Sequence, residues 1–166
     1  MKKILITGGS GLLAINWALS IQKDFEVILL LHQRKVFLNG IRSDIASLDS
    51  LDDCIHVLNQ YQPDIVIHTA GLTDVEKCES APDSAHELNV NLAENIAVAS
   101  NKKGVKLVHI STDHLFLGNE EFVTEETQTC PINNYAKTKC LGEQRVLENN
   151  EDALIIRTNF FCWGTV

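Results

Sequence analysis

KKILITGGSGLLAINWA (residues 2–18) decides the fold. A short apolar run, Ile4-Leu5-Ile6, turns through Thr7-Gly8-Gly9-Ser10-Gly11 and enters an apolar segment of helical character that begins at Leu12-Leu13. Strand, glycine turn and helix, in that order, give a glycine motif its meaning. Glycine permits a tight turn and lets backbone N–H groups approach a ligand closely. The helix N-terminus behind the turn carries unpaired donors and partial positive charge, which favours a pyrophosphate there. Gly9-x-Gly11-x-x-Ala14 follows the dinucleotide fingerprint with alanine in third place, and Gly8-x-x-Gly11-x-x-Ala14 follows a looser spacing. The third position needs only a small side chain, so that helix and strand pack closely. A plain βα turn has the same appearance, so the motif needs support from further along the chain.

The 166 residues, 45% of them hydrophobic, suit one domain with a real core. We expect a single NAD(P)-binding unit over 1–166. Lys plus Arg is 14 against 22 for Asp plus Glu, a net charge of −8, and the only basic run is His32-Gln33-Arg34-Lys35. That balance argues against a nucleic-acid partner. The longest apolar run, at 27–31, is far too short to span a bilayer, and no signal peptide is visible. The five cysteines have no CxxC spacing. They read as reduced thiols of a cytoplasmic protein, with neither a zinc site nor a disulfide frame.

Outward from the glycine turn, apolar runs alternate with amphipathic segments, the pattern of a parallel sheet covered by helices. Strands are expected at 3–7, 26–31, 40–43, 64–68, 105–110 and 153–157, and helices at 11–22, 48–60, 82–101 and 133–149. In the third helix Leu88, Leu92 and Ile96 should face inward. The fold class is therefore α/β, a doubly wound parallel sheet of Rossmann type. Ligands of such sheets bind outside the carboxyl ends of the strands. Polar residues gather there: the glycine turn after the first strand, His68-Thr69-Ala70-Gly71-Leu72-Thr73 after the fourth, and Ser111-Thr112-Asp113-His114 after the fifth.

The next helix carries Tyr135-Ala-Lys-Thr-Lys139. Tyrosine and lysine at i and i+4 share one helix face. An ammonium beside a phenol lowers its pKa, so that it exchanges a proton near neutral pH. At the end of the second strand Leu31 stands where an NAD site usually places a carboxylate, and His32 and Arg34 follow. A guanidinium matches a 2′-phosphate. NADP(H) is the expected cofactor, with NAD(H) second.

Read together, ITGGSGLLA (6–14), Asp44-Ile45, HTAGLTDVEKCE (68–79), NVN (89–91), HISTDHLFLG (109–118), YAKTKCLGE (135–143) and IIRTNFF (155–161) resemble the extended short-chain dehydrogenase/reductase family, in particular its dTDP-4-dehydrorhamnose reductase-like members. The resemblance covers nearly the whole chain. It implies that Tyr135 is the general acid, that Lys139 binds the nicotinamide ribose, that Thr112 hydrogen-bonds the substrate oxygen, and that Asn89 positions the active-site helix. It implies a cofactor lining of Gly8, Gly9, Ser10, Gly11, Leu12, Leu13, His32, Arg34, Asp44, Ile45, Thr69, Ala70, Gly71 and Thr73, together with Tyr135 and Lys139. The substrate would be a nucleotide-linked 4-keto sugar. Asn159-Phe160-Phe161 departs from the usual Ser-Trp-Val of the family and leaves the sugar open.

Two other functions share these residues: an epimerase or dehydratase, and a non-catalytic dinucleotide-binding regulatory subunit. Asp113-His114 after Thr112, in place of an acidic pair, disfavours a dehydratase. An intact Thr112, Tyr135 and Lys139 set argues against a purely regulatory role. The family normally adds a C-terminal substrate-binding region of roughly a hundred residues, so the chain is expected to be the cofactor-binding part. Its apolar tail, Phe160-Phe161-Cys162-Trp163, is expected to be exposed or buried against another copy, which keeps a homo-oligomer open.

Overall fold

A computed structural model describes residues 1–118 and 121–159. Six strands, β1 (Lys3–Thr7), β2 (Glu26–Leu31), β3 (Arg42–Ile45), β4 (Ile65–His68), β5 (Lys106–Thr112) and β6 (Leu154–Thr158), form one sheet in the order β3-β2-β1-β4-β5-β6. Every neighbouring pair is parallel. Chain order reverses between β1 and β4, where two connections leave to opposite sides and open a crevice.

The helices are α1 (Leu12–Ile21), α2 (Leu51–Tyr61), α3 (Val75–Ser80), α4 (Pro82–His86), α5 (Leu92–Lys103) and α6 (Asn134–Asn149). Central strands are apolar on both sides because both sides are covered. Leu5, Ile28, Leu30, Val66 and Leu107 pack with Val57 and Leu58 of α2, Ile96 of α5 and Val146 of α6. On the opposite face Ile4, Ile6, Val27, Leu29 and Ile67 pack with Ala14 and Ala18 of α1. Among the described residues that face carries α1 alone, and Val108 and Ile156 stay half-buried there.

The helix starts follow local chemistry. Ser50 and Asp53 form a reciprocal capping box on α2. The Asp74 carboxylate accepts from Lys77 N on α3, and the Asn133 side chain accepts from Ala136 N on α6. Gly104 ends α5 in the left-handed region at φ 64°.

Three expectations are corrected. β3 lies at Arg42–Ile45, two residues beyond the expected run. The helix α3 was not expected. The single helix expected over 82–101 is three pieces: α4, a π-helical turn at Glu87–Asn91, and α5. The wide turn adds a residue to the helical period, so the apolar stripe is not continuous through it. Leu88 is accordingly 40% exposed, while Ile96 is fully buried. The expected exposure of Phe160, Phe161 and Trp163, and the thiol of Cys162, lie outside the described residues. Cys54 and Cys78 are buried and Cys130 is exposed, and with Cys140 all four are unbridged. No described helix is long and apolar enough to cross a membrane.

Candidate functional site

A crevice of about 600 Å³ runs along the carboxyl ends of β1, β2, β4 and β5. Its floor is the glycine turn. Gly8 adopts φ +64°, and a β-carbon there would stand 2.8 Å from Ala70 N. A side chain is excluded twice, by the left-handed backbone and by the β4 loop. Gly9 serves packing instead: its N–H donates to Leu30 O at 2.9 Å, and a β-carbon would meet Leu29 Cβ at 2.8 Å. The N-cap of α1 is Gly11, which offers no side-chain cap, so the first N–H groups of α1 face the crevice without a protein acceptor from the cap. This glycine-lined cradle, together with an uncapped helix start, fits a pyrophosphate.

The β4 loop is fastened to β1. Thr69 Oγ1 donates to Thr7 O at 2.7 Å, and Thr7 Oγ1 hydrogen-bonds His68 Nδ1 at 2.8 Å. Asn89, in the π-helical turn, clamps the rest of the loop. Its Oδ1 accepts from Leu72 N at 2.7 Å, and its Nδ2 donates to Leu72 O at 3.0 Å and to Thr138 Oγ1 at 3.0 Å. A β-carbon on Gly71 would meet Asn89 Oδ1 at 2.8 Å. Asn89 thereby ties the β4 loop to α6.

The far wall holds Thr112, Tyr135 and Lys139, all buried. Thr112 Oγ1 accepts from His114 N at 3.2 Å and donates to Asp113 Oδ1 at 3.4 Å, and its hydroxyl neighbours the Tyr135 phenol. The His114 ring meets Tyr135 edge-on at 5.5 Å. Lys139 Nζ donates to Ile110 O at 2.6 Å. Burial lowers the Lys139 ammonium to about 8, opposed by the Glu143 carboxylate. Glu143 is held in turn by Arg157, whose Nη2 donates to Oε2 at 2.8 Å.

The expected lowering of the Tyr135 pKa by Lys139 is corrected. Burial moves the phenol above its ordinary value, with the neighbouring Thr112 hydroxyl pulling the other way. Lys139 spends a donor on Ile110 O, and loss of water dominates at the phenol.

Of the expected lining, Gly8, Ser10, Gly11, Leu12, Leu13, His32, Thr69, Ala70, Gly71, Thr73, Asn89, Thr112, Tyr135 and Lys139 border the crevice together. Gly9, Arg34, Asp44 and Ile45 do not. Arg34 is exposed in the turn beyond His32. Asp44 accepts from Arg42 Nε at 2.7 Å and from the Tyr61 hydroxyl at 3.1 Å, and Ile45 is 52% exposed. Ala46, Leu48 and Asp49 take that part of the rim. Val75 and Leu88 border the crevice as well; no periodicity marked Val75 in the sequence, and Leu88 was expected to face the core. Ser111 borders it too, and its buried Oγ finds no partner among the described residues.

Comparison with known proteins bears on the family and the fold. The model of the family described as RmlD substrate binding domain matches residues 1–163. Methionine adenosyltransferase 2 subunit beta of Rattus norvegicus is 34% identical over 158 residues, 94% of this chain and 46% of that protein. The dTDP-4-dehydrorhamnose reductase of Salmonella typhimurium is 39% identical over 108 residues, 64% of this chain and 36% of that protein. Among solved structures, the dTDP-4-dehydrorhamnose reductase of Bacillus anthracis in complex with NADP has a TM-score of 0.82 at 30% identity, covering 95% of this chain and 53% of that one. The chain spans about half the length, or less, of these relatives. The resemblance drawn from ISTD, YAKTK and the glycine turn is borne out: the chain belongs to the RmlD substrate binding domain family.

Proposed function

We propose that the chain binds NADP(H) along its strand ends and supplies the proton donor for reducing a nucleotide-linked 4-keto sugar. The observation that carries this is the gathering of Thr112, Tyr135 and a buried Lys139 along one crevice that the glycine cradle also lines. Residues 1–166 act as one dinucleotide-binding unit in a cytoplasmic protein. Ser10, Gly11, Leu12 and Leu13 would hold the pyrophosphate, and His32 and Arg34 the 2′-phosphate.

Bound NADPH supplies a hydride to the carbonyl carbon. The rest of the chemistry falls to this chain. Charge develops on the substrate oxygen, and Thr112 and Tyr135 donate to that oxygen. Tyr135 keeps its proton at neutral pH, as a phenol does, and its place on the crevice wall makes it the acid in the direction of reduction. It passes that proton to the oxygen, the product is the alcohol, and the phenolate recovers a proton from solvent. Lys139 has three donors, of which Ile110 O takes one; the others have no hydrogen-bond acceptor among the described residues and would serve a ribose hydroxyl. Asn89 keeps α6 and the β4 loop in register.

A second reading is favoured by the rat relative, whose name is that of a subunit and which matches along 94% of this chain. There the crevice would bind dinucleotide and the chain would act through a partner enzyme. One experiment separates the two: NADPH consumption with a panel of nucleotide-linked 4-keto sugars, by a full-length protein that joins this chain to a C-terminal substrate-binding region, for the wild type and Tyr135→Phe. The reductase reading expects turnover that Tyr135→Phe abolishes with NADPH binding intact. Binding without turnover across the panel would support the subunit reading.

A further inference from the structure

One long-range link outside the residues given roles above joins α3 to the start of α6. The Glu79 carboxylate accepts twice from Asn134: backbone N to Oε1 at 2.6 Å, and Nδ2 to Oε2 at 2.9 Å. Asn134 opens α6, so its N–H is one of the donors with no partner inside the helix. Asn133 caps a different donor, Ala136 N, and the two devices do not compete. The residue after Asn134 is Tyr135. The residue before Glu79 is Cys78, which is fully buried and clusters with Tyr135 and Ala85, Leu72 and Val75 alongside. Polar and apolar contacts thus bind α3 to a single turn of α6, the turn that carries the phenol.

We propose that Glu79 is a positioning residue for Tyr135: its two bonds to Asn134 hold the first turn of α6 against α3, so that the phenol stays beside Thr112. The kinetic consequence rests on the reductase reading above. A carboxylate suits a helix start, because the N–H groups there carry partial positive charge. Both Glu79 and Asn134 are linked near solvent, however, where charge is screened, so geometry is the larger contribution. Glutamine preserves that geometry. Its carbonyl oxygen accepts from Asn134 N, and its amide donates to Asn134 Oδ1 once that side-chain amide is turned over. Alanine keeps neither bond.

The test uses Glu79→Ala, Glu79→Gln and Asn134→Ala. The chain has two tyrosines, so a ¹³C-tyrosine NMR spectrum carries a Tyr135 signal and a Tyr61 signal that serves as internal control. Glu79→Ala should shift or broaden the Tyr135 signal and leave Tyr61 in place, Asn134→Ala should do so less, and Glu79→Gln should match the wild type. In NADPH-dependent ketone reduction, Glu79→Ala should lose about tenfold to a hundredfold in kcat, the size expected of a misplaced reacting group, with KM for NADPH unchanged. Glu79→Gln should recover most of it. An unmoved Tyr135 signal in Glu79→Ala, or a glutamine variant as impaired as alanine, would overturn the proposal. If the full-length wild type, with its substrate-binding region, reduces no ketone, the reductase reading fails and the tyrosine signals still decide the role of Glu79.

Discussion

Gly142→Ala sets two local effects against each other. Gly142 lies inside α6, where alanine is the better helix former by about 1 kcal/mol. On propensity alone the substitution stabilises. The packing says the reverse. A β-carbon at Gly142 runs into the Asn89 carbonyl oxygen, and it would also stand 3.4 Å from the Asn89 carbonyl carbon and 3.9 Å from Ala93 Cβ. The obstruction is backbone, in the π-helical turn, and has no rotamer by which to leave. Overpacking of this kind costs about 1–3 kcal/mol, and a backbone oxygen in direct collision belongs at the upper end. Subtracting the propensity gain leaves a net loss of about 1–2 kcal/mol. For a chain of 166 residues that is a fall in Tm of roughly 2–8 °C. The displaced group is Asn89, which holds Leu72 and Thr138, so NADPH affinity should fall as well. Thermal unfolding followed by circular dichroism, with an NADPH titration, measures both. A variant as stable as the wild type, or more so, would refute the packing argument.

Two further outcomes are expected. Arg34→Ala should weaken NADPH about tenfold and leave NADH unchanged, since only the former carries a 2′-phosphate for a charge-assisted bond; equal losses for both in a paired titration would count against that assignment. Stability should depend on pH through the stacked pair His68 and His109, whose ring centroids lie 5.4 Å apart. Burial first, and the Lys139 ammonium second, lower His68 to about 3 and push His109 well down too. The unfolded chain takes up these protons near pH 6.5 and the folded chain does not, so the unfolded state binds more protons in this window and stability falls as pH drops from about 6.5 toward 3. Neither ring nitrogen of His109 finds a partner among the described residues, so His109→Phe should be tolerated at pH 7 and should flatten the pH dependence of the urea midpoint. A wild-type slope in that variant would contradict this.

The sheet was legible because buried parallel strands leave unbroken apolar runs, as at Val27–Leu31 of β2 and Ile65–Ile67 of β4. The site was legible where chemistry depends on local spacing: the glycine turn, the polar strand ends, and Tyr135 with Lys139 one turn on. What escaped depends on tertiary contact. The helix α3 has six residues and one fully buried side chain, too little for a periodic signal. The π-helical turn adds one residue to a helix and leaves no mark in composition. Asp44 pairs with Leu30 in the sheet, but the Tyr61 hydroxyl from α2 engages its carboxylate. The i, i+4 spacing puts Lys139 beside Tyr135, while the direction of the ammonium is set by the Ile110 carbonyl on β5.

The most direct test of the account is a calorimetric titration of this chain with NADPH and with NADH. Saturable binding of one dinucleotide per chain, tighter for NADPH and lost in Gly8→Val, is the predicted result. A side chain at Gly8 has no room against Ala70 and no relaxed backbone at φ +64°. Absence of saturable binding by the folded wild type, or equal binding by a folded Gly8→Val, would contradict the dinucleotide crevice on which the proposed chemistry stands.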